Sequence, residues 1–186
     1  MTSRQITPPA AMAVSLEAAK LQLRETSTDL DTSIELWLKG ITLECEHQIG
    51  RALIKQTWQA TLPAFDDAIR LEGAPLIAVQ SVSYYDADNV LQILAPEAYY
   101  VDAVTEPGYI VAAAGAGWPA TYTRRNAVVV EYTCGYGETE DKVPESIKLY
   151  ILARLSEQFD PATREFKETS QSVYVNRLLD RYRVYA

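Results

Sequence analysis

The chain has 186 residues, 48% hydrophobic and 23% charged, with a mean hydropathy of −0.12. Those values exclude a disordered chain and predict one globular unit, or one unit with a sizeable insertion. A net charge of −8 and an isoelectric point near 4.7 argue against a protein that grips nucleic-acid phosphates, because such binding needs a basic patch that releases counterions. They leave open a surface that DNA slides past.

The acidity is local. Between Ala60 and Asp141 twelve acidic residues stand against Arg70, Arg124 and Arg125, and the rest of the chain is close to neutral. No window approaches the run of apolar residues that a membrane span requires, and the first residues lack a signal-peptide apolar core. The expectation is a protein made in the cytoplasm and kept there until assembly. With no export signal, Cys45 and Cys134, the only cysteines, are expected as two buried thiols rather than one disulfide.

Residues 1–14 are rich in Pro, Ala and Thr without periodicity, which predicts a flexible arm. Ser15 is placed to cap a short helix through Arg24, with Leu16, Ala19 and Leu23 on one face. Thr28 and Asp31 have the spacing of a capping box and restart a helix. From Leu30 onward Ile34, Trp37, Leu38, Ile41, Cys45 and Ile49 recur at steps of three and four until Gly50 offers a left-handed stop. Leu36, Gly40 and Leu43 form a second, narrower stripe on the same helix, more than one packed face requires, so this helix is either central or shared with a neighbouring subunit.

The pattern then changes to β-branched and aromatic residues. Strands are predicted over 53–62, 68–72, 76–85, 90–94, 99–104, 109–113 and 127–133, with Asp86-Ala-Asp-Asn89 as the turn of a hairpin. Turns every eight to twelve residues or so suggest an antiparallel sheet or small barrel. Pro144 suits a first helical position, and Ile147, Ile151, Leu155 and Phe159 set a helical stripe that ends before Pro161. A last short helix is expected over 173–182. The fold class is therefore α+β: a helical bundle carrying an inserted antiparallel β section. The expected divisions are an arm at 1–14, a helical core at 15–51 and 143–159, a β section at 52–142, and a connection with a docking tail at 160–186.

The residues that carry chemistry are sparse. His47, the single histidine, lies two positions after Cys45 on the long helix, where the two side chains point apart. No other histidine remains to complete a metal site or a Ser-His-acid triad. Gly115-Ala-Gly-Trp118 lacks the Lys-Ser/Thr of a phosphate loop and leads to Pro119, so it reads as a turn. Asp66-Asp67, Asp86 with Asp88, and the run Glu138 to Asp141 lack the spacing of a calcium loop and read as solvated turns. The tyrosines of the β section are read as core with some at subunit contacts, in preference to a ligand platform, because few cations accompany them. No catalytic, cofactor-binding or metal residue is assigned, and the expectation is a protein that is not an enzyme. The C-terminal Arg177, Leu178, Leu179, Arg181, Tyr182, Arg183 and Tyr185 mix apolar and cationic groups at a chain end and read as a docking tail in preference to a helix folded back on its own domain.

Several segments fall in an order that resembles one known family. They are Leu16–Arg24, Asp29-Leu-Asp31, Glu46–Ile54, Gln56-Thr-Trp58, Leu71–Asp86, Trp118-Pro119, Val128–Tyr132, Gly135-Tyr-Gly137, Val143–Lys148 and Leu178–Arg183. The order and spacing resemble the head–tail connector (adaptor, head completion) proteins of long-tailed bacteriophages over roughly residues 14–159, whereas Thr61–Ile69 and Asp160–Ser172 match less clearly.

The resemblance implies a structural virion protein of the neck. Identical subunits, commonly twelve, would form a ring beneath the portal protein of the DNA-filled head and join it to a stopper or tail-completion protein. DNA would pass through the ring without sequence-specific binding, no membrane or cofactor is implied, and the tail from Arg177 to Tyr185 would insert into the portal. On that view Leu36, Gly40 and Leu43 are ring contacts. Two alternatives stand beside it: a stopper or tail-completion protein, and a β-rich module that binds a ligand through its tyrosines.

Overall fold

The computed structural model describes residues 1–159 and 171–184. They divide into two compact units: one made of 1–9 and 55–136, the other of 10–54, 137–159 and 171–184.

The first unit is all β. Strands β1 (Thr2–Thr7), β2 (Gln56–Leu62), β3 (Ala68–Arg70), β4 (Leu76–Tyr85), β5 (Leu91–Ile93), β6 (Tyr99–Asp102), β7 (Tyr109–Ala112) and β8 (Val128–Cys134) build two sheets. One has five strands in the order β1-β2-β8-β4-β5, the other three in the order β3-β7-β6, and every pairing is antiparallel. Of the two architectures the strand pattern allowed, open sheets with free edges are adopted.

β8 is central because both its neighbours can use its alternation. Val128, Val130 and Tyr132 are fully buried at every second position, the period of a pleated strand. Trp58 of β2 and Val79 of β4 both lie opposite Tyr132. Leu62, Ile69, Leu71, Val82 and Ile110 complete this core.

The hairpin turn between β4 and β5 is organised by one carboxylate. Asp86 accepts from Asp88 N (3.1 Å), Val90 N (2.9 Å) and Gln92 Nε2 (2.7 Å), while Asn89 takes the left-handed conformation at φ 61°. These donors, the Val90 amide and the Gln92 amide foremost, lower the Asp86 pKa below its ordinary value.

The expected flexible arm is corrected. Residues 2–7 form β1, which pairs along β2 from Thr2 opposite Thr61 to Thr7 opposite Thr57. Arg4 Nη2 donates to Gln59 Oε1 (2.7 Å), Gln5 to Gln56, and Thr61 Oγ1 to the Thr2 carbonyl (3.2 Å). The strand escapes an apolar pattern because almost none of it is buried; backbone pairing and polar side chains hold it. Ala13 and Val14, at the end of the expected arm, are buried.

The second unit is helical, with α1 (Leu16–Leu23), α2 (Asp31–Ile49), α3 (Glu145–Phe159) and α4 (Gln171–Arg177) among its described residues, followed by a 3-10 turn over Asp180–Tyr182. Ser15 Oγ accepts from Ala18 N (3.4 Å) and caps α1, and Arg24 closes it in the left-handed conformation. α2 spans 19 residues, about 28 Å at the helical rise. Ile34, Leu38, Cys45 and Ile49 are its buried face, and Gly50 at φ 69° ends it, its N–H donating to the Glu46 carbonyl. No helix of the described residues is long and apolar enough to cross a membrane.

The expected capping box does not form. The residue before α2 is Leu30, with no side-chain cap, and Thr28 engages Asp31 through its carbonyl alone. Asp31 is drawn instead to Lys20 of α1, Nζ to Oδ1 2.6 Å, in a partly shielded pair. The turn bonds itself, with Ser27 N donating to Glu25 Oε1 (2.8 Å) and Asp29 N to Ser27 Oγ (3.0 Å).

α3 runs antiparallel to α2. Tyr150 Oη, early in α3, donates to Gln48 Oε1 near the end of α2 (3.0 Å), while Phe159 meets Trp37 edge-on with ring centroids 6.2 Å apart. Neither cysteine is in a disulfide and both are buried, as the sequence predicts. Burial pushes the Cys45 thiol up to about 12, with Glu46 and Glu44 adding to it.

Candidate interaction surfaces

The second stripe of α2 lies outside the core of its own unit. Leu36 is 69% and Leu43 61% exposed, and Gly40 between them is exposed as well. A Cβ built on Gly40 would meet no atom of the described residues within 4 Å. The three positions follow steps of four and three, so they align along one line of the helix surface, with Lys39 and Glu35 (3.9 Å) as a loose ion pair beside them. Exposed leucines are common when solitary; two flanking a mid-helix glycine form a surface into which another backbone can approach closely.

The C-terminal segment divides. Leu179 is fully buried and Val175 nearly so. Tyr182 Oη is bonded to Ser146 Oγ (3.1 Å), its carbonyl accepts from Arg51 Nε (2.5 Å), and Val184 N donates to the Ile49 carbonyl (2.8 Å). Asn176 Oδ1 accepts from Arg154 Nη2 (2.9 Å), a guanidinium that also pairs with Glu157 (2.9 Å) and donates to Tyr150 Oη (3.3 Å). Burial of Tyr150 raises its pKa, and the Arg154 contact works against that rise. Arg183 faces Asp180 at 3.5 Å. Leu178 is half-buried, and Tyr185 lies outside the described residues. The folded-back arrangement, the less favoured of the two sequence readings, is therefore the one adopted for 174–184. Tyr174, 63% exposed, Arg177, Asp180 and Arg181 project outward from it.

A third surface escaped the sequence reading. Leu16, Glu17, Lys20, Leu21, Glu25 and Asp31 line an open depression beside α1, and Leu21 is 81% exposed. Its signal was present: Leu21 falls off the stripe of Leu16, Ala19 and Leu23. Arg154 was missed too, because a single arginine at helical spacing from Glu157 gives no hint that it reaches a helix beyond α3.

In the β unit Phe65 stacks on Trp118 (4.6 Å, 6° between planes), Tyr84 meets Phe65 edge-on, and Arg124 sits 3.9 Å over the Tyr85 ring. Pro63, Ala64 and residues 121–125 line an open depression nearby. Gly115 and Gly117, both at positive φ, form the turn expected there. His47 is exposed on the last turn of α2. Among the described residues no group of three or more His, Cys, Asp or Glu side chains is gathered to hold a metal ion.

No family model matches the chain, and no curated protein matches it. Among solved structures, a chain from the virion of a native gene transfer agent (GTA) particle superposes with a TM-score of 0.80 and 20% identity, covering 100% of this chain and 97% of that one. A chain from the neck of an empty GTA particle, computed with C6 symmetry, gives 0.82 and 19% over the same shares. One from the neck of a native GTA particle, computed with C12 symmetry, gives 0.73 and 21%, again over 100% and 97%. At this identity the shared property is the fold, over the whole of this chain and 97% of each of the others.

Proposed function

We propose that this chain is a structural, non-enzymatic protein of a virion neck, standing as a ring of identical copies between a portal and a stopper or tail, with DNA passing through. The observation that carries the reading is the end-to-end match of its fold to chains from GTA virions and necks. A partial match would show a shared module; a match of nearly the whole of both chains argues for the same kind of part.

Two physical features support it. The Leu36–Gly40–Leu43 stripe is apolar surface without a partner among the described residues of its own unit, as a protein built to meet copies of itself requires. A chain with net charge −8 would pass a DNA duplex without holding its phosphates.

The test adds tagged full-length protein to DNA-filled heads that carry a portal but lack neck components, and images the portal vertex by electron microscopy. A ring of density below the portal is expected. Binding only to isolated tails would favour the stopper or tail-completion reading. No association with either would overturn the proposal, and a monomer with a saturable small ligand at Tyr122 and Arg124 would replace it with a ligand-binding module.

A further inference from the structure

We infer that adjacent copies of this chain are joined head to tail by a charged contact, in which Tyr174, Arg177 and Arg181 of one copy seat on the acidic depression of Glu17, Leu21 and Glu25 of the next. This rests on the reading of the chain as a ring-forming protein and names the surface that sets the order of its copies.

The two patches are complementary in charge and in shape of chemistry. The depression is lined by two apolar side chains, Leu16 and the exposed Leu21, and by the carboxylates of Glu17, Glu25 and Asp31. Its one cation, Lys20, is already held by Asp31 at 2.6 Å, so the depression keeps an excess of negative charge from Glu17 and Glu25. The other patch carries Arg177 and Arg181, exposed guanidinium groups that make no ion pair among the described residues, with the one carboxylate between them, Asp180, facing Arg183 at 3.5 Å. Tyr174, one helical turn before Arg177, adds an exposed ring. Arginine and tyrosine together suit a surface that is part acid and part hydrocarbon, because the guanidinium bonds a carboxylate while the ring covers a leucine.

Within one copy no ion pair joins the two patches among the described residues, which leaves them for a contact between copies. α1 is pinned to the beginning of α2 by Lys20 and Asp31. The C-terminal segment is pinned to the end of α2 by Val184 on Ile49 and by Tyr182 on Arg51. Both elements also meet α3, α1 through Gln22 Nε2 on Ser156 Oγ (3.3 Å) and α4 through Asn176 Oδ1 on Arg154 Nη2 (2.9 Å), so the patches are two different surfaces of one helical unit. A contact between two different surfaces of the same molecule is heterologous; repeated, it closes a ring when the rotation per step divides a full turn and otherwise gives an open filament. The apolar stripe of α2 supplies area without direction, whereas the charged pair fixes which surface meets which.

Charge inversion tests this with full-length protein. One variant carries Glu17→Lys and Glu25→Lys, the other Arg177→Glu and Arg181→Glu, each first shown by circular dichroism to melt as the parent does. Self-association is followed by sedimentation velocity from micromolar to about 1 mM protein, at low salt and at about 0.5 M salt, where charged contacts are screened. The parent is expected to associate at low salt and to dissociate at high salt. Each variant alone should associate on the order of tenfold more weakly.

An equimolar mixture should recover association, since every contact in an alternating assembly again joins opposite charges. A mixture no better than either variant, an inverted protein that associates like the parent, or a parent that is monomeric throughout would each overturn the contact. The neck reading falls separately, by loss of the ring at the portal vertex. If the arginine variant loses portal binding while its self-association is unchanged, the patch belongs to the portal and this inference is wrong.

Discussion

A glycine in the interior of a solvent-facing helix costs roughly 1 kcal/mol relative to alanine, and among the described residues nothing near Gly40 uses the space. Gly40→Ala is therefore expected to stabilise the isolated protein by about 1 kcal/mol in urea unfolding, and to weaken ring formation if a neighbouring backbone approaches there. Loss of stability on this substitution would mean that the helix surface is already packed. Cys45 gives a second prediction. Its thiol is held neutral to about 12, whereas in the unfolded chain it ionises near the ordinary value of 9.0. Above that value the unfolded state loses a proton that the folded state keeps, so stability is present below it and falls as pH rises toward 12, by up to about 1.4 kcal/mol per pH unit from this group. Unfolding measured between pH 8 and 10, with and without Cys45→Ala, should show a shallower decline in the variant; equal slopes would contradict the burial.

Elements with a buried face were legible from their residues, and elements without one were not. α2 and β8 show periods of about 3.6 and 2 because one side of each is in a core: Ile34, Leu38, Cys45 and Ile49 in the first, Val128, Val130 and Tyr132 in the second. β1 was hidden because its partner is the edge of β2, which accepts any extended backbone that reaches it. The capping box failed for a tertiary reason, since Asp31 has a better partner in Lys20. At the C-terminus the same apolar and cationic residues serve either a docking arm or a closing helix, and local composition does not decide between them. The decision lies with Leu179, Tyr182 and Arg51, which meet only after the chain has folded. Leu179→Ala is accordingly expected to cost about 2–5 kcal/mol, the range for truncating a fully buried leucine, read as a fall in the denaturation midpoint. A change under about 0.5 kcal/mol, the level of an ordinary surface substitution, would return the segment to the role of a loose arm.

In the ring we propose, the acidic stretch between Ala60 and Asp141 would be repeated around one axis. A duplex presents a dense row of phosphates, and a protein that neutralises several of them binds more tightly as salt is lowered, with a slope set by the number of contacts. This chain carries −8, and in its β unit Arg124 is already engaged over Tyr85 and with Asn89 Oδ1 (3.3 Å). Lowering salt lengthens the range of repulsion from its carboxylates, so it should not promote binding. The expected result is that full-length protein fails to retard a linear duplex in a mobility assay at about 150 mM salt and still fails at about 20 mM, where a phosphate-gripping protein would gain orders of magnitude in affinity. Retardation that strengthens steeply at low salt and is abolished by Arg124→Ala with Arg125→Ala would show that the β unit holds DNA. A passive lining around moving DNA would then be the wrong picture, because each held phosphate would add a barrier that a translocating genome has to cross.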